Sequence, residues 1–158
     1  MSSIESAVTK RIARTWMVGY DTTERADLAA LGDGQLSNAY RRFHGALNNR
    51  TEQEKAEIAA LYAELMRRHY RRQAAEDEQA KQAWATVEAA GVWPNSARPV
   101  PQVGAKVWKV FPALFGMALK VNGRVFRAKV GLRVRLDAGQ PIAGAKTVDL
   151  DSGWRIAE

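Results

Sequence analysis

Residues 51–90 contain neither proline nor glycine, and the next thirteen residues bring Gly91, Pro94, Pro99 and Pro101. A long helix-permissive run followed at once by helix breakers sets where a long helix can lie and where it must stop. Thr51 and Glu54 have the spacing of a capping box at its start. Beyond Pro101, β-branched and aromatic residues alternate with cations, a strand-like pattern. The predicted fold class is therefore α+β, with three parts. An N-terminal helical bundle with one long helix spans 1–93, a proline-containing linker 94–103, and a small antiparallel β-sheet or open barrel 104–158.

Upstream, Ile4, Val8, Ile12 and Trp16 recur at four-residue steps and predict a first helix capped by Ser3 and ended by Gly19. Asp21 with Glu24 resembles a second capping box, and Leu36, Tyr40, Phe43 and Leu47 mark one face of a third helix. The turn at Gly32 and Gly34 is too loose for a DNA-reading helix-turn-helix. Leu36, Tyr40 and Phe43 are also needed inside, so bundle packing is the expected role. In the long helix the stripe of Ile58, Leu61 and Leu65 continues as Arg68, His69 and Arg72, and a rotated stripe resumes at Ala80, Trp84 and Val87. No heptad survives the middle, so the helix either projects there or breaks, and a long coiled coil is not expected. Arg67, Arg68, Arg71 and Arg72 fall on one side of this helix, where they either grip phosphate or form a solvated face paired with Glu64 and Glu76.

Charge is distributed unevenly. Up to Asn95 there are 13 basic and 13 acidic residues, whereas the last 63 residues hold 11 basic and 4 acidic ones, which is the whole net charge of +7. A locally basic module points to a polyanionic or acidic partner. Within it, Asn122-Gly123 between alternating runs predicts a two-residue hairpin turn that pairs Val121 with Arg124 and Leu119 with Phe126. On that register the second strand runs unbroken to Leu136 with a bend at Gly131, and Lys120, Arg127, Lys129, Arg133 and Arg135 share a face without any acid. Further strands are expected near 104–111 and 145–150, with a last one around Trp154 and Ile156. Trp108 and Phe111 are read first as core and second as stacking residues. The apolar run 111–117 has to be buried, most simply against the helical half.

Catalytic signatures are missing. The chain has no cysteine and only His44 and His69, and it lacks the HExxH, GxSxG, Walker and GxGxxG patterns. Asp149, Asp151 and Gly153 echo the start of a calcium loop but lack its remaining acidic ligands, so a turn is expected there. No catalytic residue, metal or cofactor is assigned, and an enzyme is not expected. The absence of an 18-residue apolar stretch and of a leader-like start argues for a cytoplasmic protein without membrane association. Sixteen Arg against 8 Lys, with 27 Ala, fits a GC-rich bacterial, phage or plasmid origin.

These features predict a small non-catalytic protein that binds DNA or RNA through phosphate contacts made by Lys120, Arg127, Lys129, Arg133 and Arg135, with Arg68 and Arg72 as a second patch. The alternative is an adaptor or inhibitor that turns the same surface toward an acidic protein. Self-association as a homodimer is left open.

Overall fold

The computed structural model describes residues 2–43, 49–112, 118–140, 142 and 144–157. Among them, helices α1 (Ser3–Ile12), α2 (Ala26–Ala29), α3 (Asp33–Phe43) and α4 (Glu52–Ala90) precede strands β1 (Lys106–Pro112), β2 (Ala118–Arg127), β3 (Leu132–Leu136), β4 (Thr147–Asp149) and β5 (Arg155–Ile156). The architecture is mixed α+β with one long helix and one antiparallel sheet, as the sequence predicts. The chain divides into two compact units, Met1–Ala75 and Glu76–Glu158, so α4 begins in the first and ends in the second. It is continuous through 67–79, where residues 71–76 are all exposed. None of the described helices is long and apolar enough to cross a membrane.

In the first unit, the N-terminal helix is capped one residue earlier than expected. The Ser2 hydroxyl accepts from the Glu5 amide at 3.2 Å, and α1 ends at Ile12. The chain then turns, so that Met17 is buried while Trp16 is left 39% exposed. Val8, Ile12 and Met17 pack with Ile58, Ala59 and Ala63 of α4. Leu28 and Leu36 pack with Ala60 and Leu61. The small Ala side chains of α4 let neighbouring helices approach closely, and the larger aliphatics fill the remaining space. The Thr51 capping box forms reciprocally: the Glu54 amide donates to the Thr51 hydroxyl at 3.2 Å and the Thr51 amide to the Glu54 carboxylate at 2.8 Å. The Asp21–Glu24 box does not form. Asp21 accepts from Thr23, Glu24 pairs with Arg71, and the one-turn α2 has Arg25 at its N-cap with no side-chain capping bond.

The second unit corrects the strand register. Asn122 and Gly123 lie in the middle of β2, opposite Trp108 and Val107 of β1, with Gly123 also opposite Leu136 of β3. Gly123 does not have the positive φ that the expected turn requires. It serves close packing instead, because a Cβ there would sit 2.5 Å from Val134 Cγ1 and 2.6 Å from the Arg135 carbonyl oxygen. The expected long strand from Arg124 to Leu136 is in fact β2 folding back into β3, turned by the Ala128 amide donating to the Gly131 carbonyl at 2.8 Å. At Gly131 a Cβ would run into the Trp84 indole.

Sheet order is β4-β3-β2-β1-β5, with every pairing antiparallel. Edge strands β4 and β5 are joined by residues 150–154 alone, which themselves make a turn through the Trp154 amide and the Asp151 carbonyl. A flat five-stranded sheet would be about 19 Å wide at ~4.8 Å per strand, too far for a turned connection of this length. The sheet therefore curls, closing over Val107, Val121, Val125, Leu132, Val134, Leu136, Leu150 and Trp154. Trp84 and Trp93, ring centroids 5.8 Å apart, pack against this core.

The proline-containing segment around 94–103 makes local contacts. Val92 bridges Pro99, the Trp93 amide donates to the Arg98 carbonyl at 3.0 Å, and Pro101 is buried. Most of the apolar run, 113–117, lies outside the described residues. Phe111 packs edge-on against Trp154 at 5.9 Å, within the sheet's own core.

Gly123→Ala and Gly131→Ala should each lower stability by about 1–3 kcal/mol through overpacking. Thermal unfolding followed by circular dichroism checks this. An unchanged midpoint for Gly123→Ala would contradict the mid-strand register.

Candidate nucleic-acid interface

Alternation along paired strands decides which side chains share a face. Val107, Val121, Val125, Leu132, Val134 and Leu136 define the inner face. Residues of opposite parity therefore form the outer face. They are Lys106, Trp108 and Val110 on β1, Lys120, Asn122, Arg124 and Phe126 on β2, Arg133 and Arg135 on β3, Thr147 and Asp149 on β4, and Arg155 on β5. Six cations share this surface with a single described acid, Asp149.

Of the cations predicted from sequence, Lys120, Arg133 and Arg135 fall on this face and Arg127 and Lys129 do not. Arg127 has the parity of Val125, and its guanidinium makes a two-point pair with Glu88 of α4 at 2.7 and 2.8 Å. Lys129, in the β2–β3 turn, reaches Asp77 of α4 at 2.6 Å. The expected five-cation face without counter-charge is thus split. Two of its members fasten the sheet to α4, which supplies carboxylates that strand alternation could not reveal. Arg133 meets Asp149 across the β3–β4 ladder at 3.1 Å, although the Nε–H is not aimed for a hydrogen bond.

Arg68 and Arg72 belong to a different environment. Arg68 donates to Glu64 at 3.0 Å, to Asp33 at 2.7 Å, and to the carbonyls of Leu28, Ala29 and Leu31, so it closes the C-terminal end of α2. Its neighbour Arg67 is 1% exposed and binds Glu5 at 2.8 Å and the Thr22 carbonyl, beside the equally buried Glu64. Arg71 pairs with Glu24 at 2.8 Å. Arg72, 64% exposed, donates to Asp33 at 3.4 Å. All four guanidiniums thus meet this chain's own acids, Arg72 by the longest of these bonds. Of the two histidines, His69 is exposed against Tyr70, and His44 lies outside the described residues.

Sequence reasoning passed over Lys106 and Arg155 and grouped Arg124 and Phe126 with the apolar positions, because an Asn-Gly pair read as a turn inverts the parity of the rest of β2; the β2–β3 turn restores it from Leu132 onward. In the observed register Lys106 lies opposite Arg124, and Arg124 opposite Arg135. Three cations thus stand side by side on three adjacent strands. Like charges directly opposite on a sheet destabilise it by a few tenths to about 1 kcal/mol per pair. No described carboxylate lies within ion-pair distance of Lys106, Lys120, Arg124, Arg135 or Arg155. Among the described residues, Arg124 donates to the Gly104 carbonyl alone, at 3.2 Å.

Two aromatic rings flank this row on the same face. Lys120 Nζ sits 4.6 Å from the Trp108 ring centroid, and the Arg135 guanidinium carbon 5.1 Å from that of Phe126. Both are diagonal cross-strand cation–π contacts. Beside β3 and β4 a cleft of about 670 Å³ is lined by Arg135, Leu136, Asp137, Ala138, Gly139, Lys146 and Thr147. Asp149 and Asp151 do not form a metal cluster among the described residues. Asp151 accepts from the Gly153 amide at 2.7 Å and pairs with Lys109 at 2.6 Å.

Comparison with protein-family models, with curated proteins and with solved structures finds no match to this chain. The functional reading therefore rests on geometry and charge.

Arg68→Met should cost about 3 kcal/mol, since it removes the guanidinium that bonds buried Glu64, Asp33 and the carbonyls at the end of α2. Arg72→Met should change stability by less than about 0.5 kcal/mol. Chemical denaturation distinguishes these two outcomes.

Pairing also sets the acid limit. A hydrogen bond from Arg71 holds Glu24 below the usual carboxylate range, one from Arg68 does the same for Asp33, and one from Arg127 for Glu88. The native state then binds fewer protons than the unfolded chain below about pH 4.5. This stabilisation is complete above that pH and is lost as pH falls through the folded values. Unfolding midpoints should be flat from pH 7 to 5 and drop below about pH 4; a drop already at pH 6 would point to other groups.

Proposed function

We propose that the protein binds nucleic acid without catalysing a reaction, through phosphate contacts on the outer face of its sheet. The observation that carries this is the row Lys106, Arg124 and Arg135, three adjacent cations with no described counter-charge. Charge repulsion within the row works against folding, and a phosphate backbone relieves it while releasing counterions. Lys120 and Arg155 extend the positive surface along β2 and β5. Arg127, Lys129 and Arg68 are satisfied internally and fall outside the proposed contact set. Arg72 is exposed but stands in the other unit. Backbone contacts position a nucleic acid without reading its sequence, so little sequence preference is expected.

Fluorescence anisotropy with labelled DNA and RNA across a salt series tests this. Replacing Lys106, Lys120, Arg124 and Arg135 together by Gln should lower the slope of log K against log salt by about 3, taking ~0.7–0.9 per phosphate contact. The pair Arg127→Gln and Lys129→Gln should leave the slope unchanged at conditions where the variant is folded. Absence of any binding at low salt would sink the proposal.

A further inference from the structure

We infer that the preferred ligand is a single strand, with bases stacked on Trp108 and Phe126 and phosphates lying over the cation row between them. This rests on the reading of the outer face as a nucleic-acid surface and deepens it. On β2, the position opposite Trp108 is Asn122, two residues before Arg124, and Phe126 is two residues after it. At about 3.4 Å per residue each ring therefore lies roughly 7 Å along the strand from the row Lys106, Arg124 and Arg135, on opposite sides of it. The two rings are roughly 14 Å apart in that direction and one strand apart laterally, so bases and backbone can alternate across the surface.

Both rings are half-buried, rooted in the sheet, and each has a cation over it. An exposed cation–π contact is weaker than base–aromatic stacking, and a Lys or Arg that swings off its ring remains within reach of the adjoining phosphate. Lys120 and Arg135 thus cover the rings in the free protein and serve as phosphate ligands in the complex. A duplex keeps its bases stacked on one another and offers this face only phosphates. The outer face of a curled sheet is also convex, which limits how many duplex phosphates it can meet at once.

The test compares the full chain against labelled oligonucleotides of equal length, one of thymidine, one with abasic sugars throughout, and one duplex. Trp108→Leu and Phe126→Leu retain apolar bulk on the sheet but remove the rings, and Trp108→Tyr restores one. We expect the thymidine strand to bind at least tenfold tighter than the abasic strand, and tighter than the duplex. Each Leu variant should lose most of that margin, and Trp108→Tyr should recover it, while abasic-strand affinity stays unchanged. Equal affinity for thymidine and abasic strands overturns base stacking and leaves the phosphate reading standing. Binding to none of the three overturns both. A Leu variant that weakens all three ligands equally, with its melting profile intact, also overturns the stacking role.

Discussion

Helix α4 has to satisfy charges of both signs along one continuous element, and much of the structure depends on how it does so. In its first half the cations act. Arg67, Arg68 and Arg71 collect Glu5, Glu24 and Asp33 from three separate segments of the N-terminal unit. In its second half the carboxylates act, with Asp77 and Glu88 holding Lys129 and Arg127 of the sheet module. Buried ion pairs seldom add much net stability, but removing one partner is expensive. Such pairs specify which segments belong against the helix more strongly than apolar contact does, since a Leu tolerates many neighbours and a buried guanidinium few.

The sheet obeys a second constraint, the absence of a Cβ at two positions. Gly123 allows β3 to lie against the middle of β2, and Gly131 allows the Trp84 indole to pack onto the β2–β3 turn. These contacts fix a register in which valines and leucines close the interior. The same register commits Lys106, Lys120, Arg124, Arg133, Arg135 and Arg155 to one outer surface. The proposed binding surface is thus a by-product of core parity, since side chains that alternate with a buried valine have no other side to occupy.

Charge repulsion and stability pull apart on that surface. Arg127 and Lys129 have lost their freedom to carboxylates from α4, whereas Lys106, Arg124 and Arg135 keep their repulsion. A chain selected only for stability would place an acid among the three, as it does opposite Arg133 with Asp149. The proposed nucleic-acid binding rests on this retained repulsion and on the two cation-covered rings.

Much of the fold was legible in the sequence. Proline and glycine placement set the long helix, the Thr51–Glu54 cap set its start, and the shift to alternating β composition set where the sheet begins. These are local signals, governed by backbone dihedrals and by hydrogen bonds a few residues apart. The charge asymmetry likewise identified the basic module, because counting charges needs no coordinates. Pairing was not legible. Asn122-Gly123 carries the local signature of a turn, yet across-strand contacts with Val134 and Arg135 place it in mid-strand, and that single change moved Arg124 and Phe126 to the outer face and Arg127 off it. Whether a cation is free or neutralised depends on carboxylates 39 to 52 residues away in the chain. Sequence determined which elements form and where positive charge accumulates. Tertiary structure alone decided which cations remain unpaired, because long-range contacts, and not local propensity, choose the face on which each side chain ends.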